Sequence, residues 1–256
     1  MITINDDWEF NVLGVYNFRK PGPFVSLFNF VRDNCNKIEG DILESGVYRG
    51  KTLLAMGLML KELGSKKLVY GFDSFSGFPV GSYHRNDELQ RFDDLYSSGK
   101  ISHEHLMAVQ RNRIWRNELI DRQINSSNIS SSGDFSETSL DLVKKKISML
   151  GLDNIILIDD DFKNSMTSER SKPAKIMAAL MDCDLYESYL QTFNFVWPRL
   201  SQGGMIYLDE YYSLKFPGAR IATDEFLATK NCHLQCAPKS VGDFERWYVV
   251  KGILKK

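Results

Sequence analysis

Four acidic side chains stand where two apolar runs of this sequence end. Asp182 and Asp184 follow the run Ala174–Met181, and Asp209 with Glu210 follows Gly204–Leu208. If the two runs are strands of one parallel sheet, their carboxyl ends open into a shared crevice and the four carboxylates converge there. Such a group repels itself unless it takes up protons or holds a cation. Oxygen donors alone select a hard divalent ion, Mg²⁺ first, with Mn²⁺ or Fe²⁺ as alternatives. Two other uses compete. Asp184 precedes the helix-like stretch that begins at Tyr186 and would serve as its N-cap. A D-x-D pair is also able to supply a phosphoryl-accepting nucleophile beside Mg²⁺. In haloacid-dehalogenase-like phosphatases, however, that pair follows the first strand and reads DxDxT, whereas Asp182-Cys183-Asp184-Leu185-Tyr186 comes late in this chain.

A second group of residues lies near the N-terminus, in the turn Glu44-Ser45-Gly46-Val47-Tyr48-Arg49-Gly50-Lys51-Thr52. A phosphate-binding P-loop needs four residues between its first glycine and Gly-Lys-Thr, but only Val47, Tyr48 and Arg49 intervene. The dinucleotide fingerprint GxGxxG needs a second glycine where this chain has the bulky Tyr48. S-adenosylmethionine has no pyrophosphate and tolerates side chains in the turn. Its sulfonium and ammonium suit a strand-end carboxylate such as Glu44, and its ribose diol suits an acid at the end of the next strand. Asp73 lies 23 residues beyond Gly50, close to the ~20 expected of a ribose-binding acid. Ser74 and Phe75 follow it and would border the adenine, with Phe75 alternatively a core residue. One of Asp159, Asp160 and Asp161 would accept from the adenine amine, or all three form a solvated turn. The glycines also suit a tight turn that only packs a helix on a strand.

These residues need a sheet to hold them. Asp41–Ser45 reads as a strand, KTLLAMGLMLKEL after Gly50 as a helix, and KKLVYGFD as a buried strand ending at Asp73. Strand, glycine turn, helix, strand and acid form the opening βαβ unit of a parallel sheet. Alternation resumes with a helix over Ser139–Leu150, strands over Asn154–Ile158 and Ala174–Met181, a helix over Glu187–Leu200 and a strand over Gly204–Leu208. A helix over Pro217–Thr229 and paired strands at His233–Cys236 and Phe244–Lys251 complete it. The prediction is an α/β fold: a doubly wound, seven-stranded, mostly parallel sheet with an antiparallel edge hairpin. We expect a single domain over 1–256, with an N-terminal helical segment over 1–40 and a lid-like insertion over 80–133. The Arg-rich part of that insertion reads as a solvated helix face, its Ser-rich run as a mobile loop, and His84, His103 and His105 as surface residues.

Composition narrows the partners. The chain has 256 residues, 32 basic and 33 acidic, for a net charge of −1. That balance gives no reason to expect nucleic acid or a membrane as partner, and no apolar run approaches the ~20 residues of a membrane span. MITINDDWEF has neither the basic nor the apolar region of a signal peptide, so a cytoplasmic location is expected. Cys232 and Cys236 flank His233 but lack a second ligand pair for zinc, so the four cysteines read as free thiols.

Taken together, Glu44-Ser45-Gly46-Val47-Tyr48-Arg49-Gly50, Asp73-Ser74-Phe75-Ser76-Gly77-Phe78-Pro79, Asp182-Cys183-Asp184-Leu185-Tyr186-Glu187-Ser188, Gly203-Gly204-Met205-Ile206 and Asp209-Glu210-Tyr211 resemble the macrocin O-methyltransferase (TylF-like) family. Pro217-Gly218-Ala219-Arg220 and Asp224-Glu225-Phe226 continue the resemblance, which runs from about Ile42 to Phe226. It implies a class I methyltransferase sheet, often dimeric, that binds S-adenosylmethionine and a divalent metal and methylates sugar hydroxyls. By position, it implies cofactor contacts from Glu44, Gly46, Tyr48, Gly50, Thr52, Asp73, Ser74 and Phe75. It places metal ligands at Asp182, Asp209 and Glu210, the last standing where the family usually has Asp, and a general base at Asp184. The expected substrate is a small-molecule sugar, nucleotide-activated and used in surface glycan biosynthesis. The sugar of a glycosylated natural product is the alternative, and an NAD-dependent nucleotide-sugar enzyme or a non-catalytic binding module are the competing classes.

Overall fold

The computed structural model describes residues 4–167, 173–239 and 244–252; the outermost ends of the expected 1–256 domain lie outside them. Two helices, α1 (Asp7–Leu13) and α2 (Val25–Asn34), precede strand β1 (Asp41–Ser45). Helix α3 (Lys51–Glu62) and strand β2 (Val69–Asp73) complete the first βαβ unit. A 3₁₀ turn at Arg85–Asp87 and helices α4 (Arg91–Ser97) and α5 (His103–Ile120) form the insertion. Then come α6 (Leu140–Leu150), β3 (Ile155–Asp159), α7 (Phe162–Ser165), β4 (Ile176–Met181), α8 (Tyr186–Arg199), β5 (Leu200–Leu208), α9 (Pro217–Leu227), β6 (Leu234–Cys236) and β7 (Trp247–Val250).

The strands lie in the order β3-β2-β1-β4-β5-β7-β6. β1 to β5 are parallel, and β7 runs antiparallel to both β5 and β6. This is the doubly wound sheet with an antiparallel edge pair that the sequence predicts. After β3 the chain returns to the far side of β1, so β1 and β4 flank the point where strand order reverses, the place where such sheets bind ligands. All six residues of β4 are buried, as expected of a central parallel strand covered on both faces. Met177, Ala178 and Leu180 belong to the core under α2, α3 and α6, while Ala179 and Met181 belong to the core under α8 and α9. No helix among the described residues is long and apolar enough to cross a membrane.

Two local expectations change. The insertion is ordered by a small core of Phe92, Leu95, Ile101, Leu106 and Val109, against which Leu214 and Ile221 pack. Its Ser-rich run is a packed turn: Arg116 donates to the carbonyls of Asn128 and Ser130, both at 2.9 Å, and Ile129 is buried. His105 is buried as well, with Nε2 2.7 Å from the carbonyl oxygen of Ser213 and its ring stacked on Tyr212.

Candidate active site

The glycine turn is built around close approach. Gly46 has φ 86°, and a Cβ there would overlap the carbonyl oxygen of Asp182 on the neighbouring strand end. Only glycine lets the turn pass so near the acid-bearing loop. Tyr48 also adopts a left-handed backbone, φ 49°, and the strain is held by Asp73. Asp73 Oδ2 accepts from the backbone N–H groups of Val47 at 2.7 Å and Tyr48 at 2.8 Å, and Oδ1 accepts from Phe75 at 2.6 Å. Three of about four acceptor positions of this carboxylate are thereby used, leaving one on Oδ1. Burial raises its pKa while those N–H groups lower it.

Glu44, Gly46, Tyr48, Thr52, Asp73 and Ser74 all line one open cleft. Asp182 and Asp184 line the same cleft. Gly50 stands back from the wall, where its φ of 78° turns the chain into α3, and Phe75 packs into the core. Asp160 and Asp161 reach the cleft wall, whereas Asp159, exposed like Asp160, does not line it. Glu44 is buried, and its Oε2 has no hydrogen-bond partner. Burial, then the nearby Asp73 and Asp209 charges, push its pKa well above the usual carboxylate range.

Beside this turn, carboxylate oxygens of Asp182, Asp184 and Glu210 lie within 4.8 Å of one another. Burial is the main cause that raises the pKa of both Asp182 and Asp184, with repulsion from neighbouring carboxylates adding to it. Asp184 has φ 59° and caps nothing. The residue at the α8 N-cap is Leu185, and the N–H of Tyr186 donates instead to Asp87 Oδ1 at 2.8 Å. Asp87, buried in the insertion, so supplies the cap expected of Asp184 and leaves Asp184 facing the cleft.

Asp209, expected with the metal ligands, stands outside the three. Its Oδ1 accepts from Arg246 Nε at 2.7 Å. Glu210 Oε1 is 3.7 Å from Lys215 Nζ, while Glu210 Oε2 is buried without a partner. Four carboxylates thus face two cationic side chains, leaving two negative charges to be met by protons or by one divalent cation. The orphaned Glu210 oxygen and the all-oxygen donor set fit a hard ion.

Sequence reasoning did not find Arg246, Lys215 or Asp87, nor the aromatic wall of Tyr16, Phe78 and Phe135. The aromatics carry one signal: Phe78 directly follows the positive-φ Gly77, and Phe135 comes two residues after the positive-φ Gly133. Phe135 meets the Tyr48 ring edge-on at 5.4 Å.

Comparison with known proteins agrees with this architecture. The chain is 28% identical over 193 residues to "Mycinamicin III 3''-O-methyltransferase" of Micromonospora griseorubida, covering 74% of this chain and 61% of that protein. It is 25% identical over 179 residues to "8-demethyl-8-(2,3-dimethoxy-alpha-L-rhamnosyl)-tetracenomycin-C 4'-O-methyltransferase" of Streptomyces olivaceus, covering 68% of this chain and 54% of that one. The chain therefore spans less than two thirds of the length of these relatives. The solved "Structure of the O-methyltransferase NovP" shares the fold, with a TM-score of 0.61 at 21% identity over 88% of this chain and 79% of that one. The family model for macrocin O-methyltransferase (TylF) matches residues 29–156 and 121–237. With the glycine turn and the strand-end acids in the order that model spans, the chain belongs to the macrocin O-methyltransferase (TylF) family.

Proposed function

We propose that this protein transfers the methyl group of S-adenosylmethionine to a hydroxyl of a sugar. The observation that carries the reading is one cleft lined by Glu44, the Asp73-braced turn, Asp182 and Asp184, with Glu210 grouped beside the two aspartates. Glu44 offers an unpaired buried carboxylate to a cationic ligand. The remaining acceptor position on Asp73 suits one ribose hydroxyl. Tyr48, Thr52 and Ser74 line the cleft with them.

The cofactor supplies an electrophilic methyl group, so the chain must supply an aligned oxygen and a place for its proton. A carboxylate of pKa ~4 does not deprotonate a free sugar hydroxyl unaided. A divalent ion held by Asp182 and Glu210 would supply Lewis acidity toward that hydroxyl. Asp184, buried beside them and free of any capping duty, takes the proton on a carboxylate oxygen as the hydroxyl is methylated. Asp209 serves through Arg246 as fixed charge balance.

The acceptor we favour is a nucleotide-activated sugar used for a surface glycan, handled in the cytoplasm. The rhamnosyl group in the name of the Streptomyces olivaceus relative favours a second reading, the sugar of a glycosylated natural product. The insertion over 80–133 acts in either case as the lid of a single-domain enzyme. Self-association, which the family resemblance implies, belongs to the same reading.

The test is a thermal-shift titration with S-adenosylhomocysteine, NAD and ATP, each with and without Mg²⁺. A ligand at ~100 times its Kd adds about 2.7 kcal/mol to stability. Stabilisation by S-adenosylhomocysteine alone supports the proposal, and labelled methyl transfer to nucleotide sugars and to glycosides then separates the two acceptors. Stabilisation by NAD or ATP instead would overturn it.

A further inference from the structure

Helix α5 is apolar on two faces. Its His105, Leu106 and Val109 are buried. On the opposite face Met107, Ile114, Trp115 and Leu119 are 41%, 59%, 65% and 76% exposed. At 3.6 residues per turn, Met107, Arg111, Ile114, Trp115 and Glu118 share one stripe, with Leu119 at its margin. A helix with apolar residues on both sides is ordinarily covered on both sides, and a contiguous apolar stripe marks an interaction surface more than scattered exposed residues do.

The charges on the stripe say what covers it. Arg111 and Glu118 are exposed and form no ion pair among the described residues. They sit symmetrically about the Ile114–Trp115 step, each three residues from it. We propose that this stripe is the seam between two copies of the chain, the two α5 helices packing antiparallel about a two-fold axis that passes between Ile114 and Trp115. Arg111 of each copy then faces Glu118 of the other, and the ion pair forms twice. A parallel pairing would set Arg111 against Arg111 and Glu118 against Glu118. The surface is therefore self-complementary in one orientation only, as a two-fold interface requires. Trp115, Ile114 and Met107 supply the affinity, since exposed ion pairs contribute little; the charges fix the direction. This deepens the self-association part of the proposed function and is independent of the chemistry in the cleft.

The experiment is sedimentation equilibrium of the full chain across micromolar concentrations, for the wild type, Arg111→Glu, Glu118→Arg, the double exchange and Trp115→Ser, with circular dichroism confirming the fold of each. The wild type is expected to dimerise. Each charge reversal, and Trp115→Ser, raises the dimer dissociation constant about tenfold or more, and the double exchange returns it to within about threefold of wild type. A monomeric wild type overturns both the dimer and the seam. A dimer indifferent to the single reversals overturns the seam while leaving self-association standing. Failure of the double exchange to restore association overturns the antiparallel register. If Trp115→Ser proves unfolded, the charge exchanges decide alone.

Discussion

Asp209 and Arg246 form an ion pair at 2.7 Å whose side chains are only 11% and 10% exposed. One residue closes β5 and the other leads into β7, its antiparallel neighbour. The guanidinium opposes the rise that burial imposes on the Asp209 pKa. Arg246→Met would leave that carboxylate uncompensated beside Glu210, and breaking a buried pair from one side costs about 3–5 kcal/mol. Urea unfolding measures this. The same geometry ranks the acids as ion holders: Glu210→Gln weakens Mn²⁺ binding, followed by electron paramagnetic resonance, more than Asp209→Asn does. Equal or greater weakening by Asp209→Asn would mean that the ion draws Asp209 away from Arg246.

The close approach of Gly46 to the Asp182 carbonyl makes a second prediction, about the joint between the glycine turn and the acid-bearing loop. Gly64 also has a positive φ, 62°, but open space around it. Gly64→Ala therefore costs only the backbone strain, about 1–2 kcal/mol. Gly46→Ala adds a steric overlap with backbone that has no room to yield, so it loses clearly more stability and also S-adenosylhomocysteine binding. Melting temperatures of the pair give the comparison. Equal losses would show that the turn and the acid loop move apart freely.

The parts of this site that could be read in the sequence are those tied to local pattern. Asp73, Asp182 and Asp209 each terminate an apolar run, and an apolar run ended by an acid is visible without knowing its neighbours. The counter-charges are not visible in this way. Arg246 reaches Asp209 from a segment 37 residues away, and Asp87 reaches the Tyr186 N–H across 99 residues. Nothing in the composition around either one announces its partner. Asp184 was legible as an acid but equally suited to capping α8, and only the arrival of Asp87 separates the two uses. The insertion misled for a different reason. Its small core joins Phe92 and Leu95 of α4 to Ile101, Leu106 and Val109, and neither short apolar set shows its burial partner until the two helices close on each other.

Asp184 carries the prediction closest to the chemistry. Asp184→Asn keeps the shape of the side chain and removes its capacity to take a proton. S-adenosylhomocysteine affinity by calorimetry should stay near wild type, since in the proposed reading Glu44 and Asp73, not Asp184, hold the cofactor. Turnover with an identified acceptor should fall about 10²–10⁴-fold, the usual contribution of a general base. An unchanged kcat would sink the assignment and favour a purely electrostatic role.

The raised carboxylates also make stability depend on pH with a definite sign. Burial lifts the pKa values of Asp182 and Asp184 in the folded protein above their unfolded values near 4. As pH rises through that unfolded value, the unfolded chain gives up protons that the folded chain keeps, so stability falls with rising pH until the folded groups also ionise. Asp87, pushed up to about 6 by burial, contributes a loss of the same sign that is complete a little above pH 6. It lies outside the ion-holding group, so a divalent ion does not relieve its share. The metal-free protein should therefore lose melting temperature between pH 5 and pH 8, and Mg²⁺ or Mn²⁺ should restore more of it at pH 8 than at pH 5, because binding at low pH must first displace protons. Glu44 is raised for the same reason, and in the proposed reading the cationic cofactor relieves its share. Melting curves in a chelator, with metal, and with S-adenosylmethionine separate the contributions. A metal-induced gain that is flat across this range would exclude a proton-loaded Asp182 as a group that receives the ion.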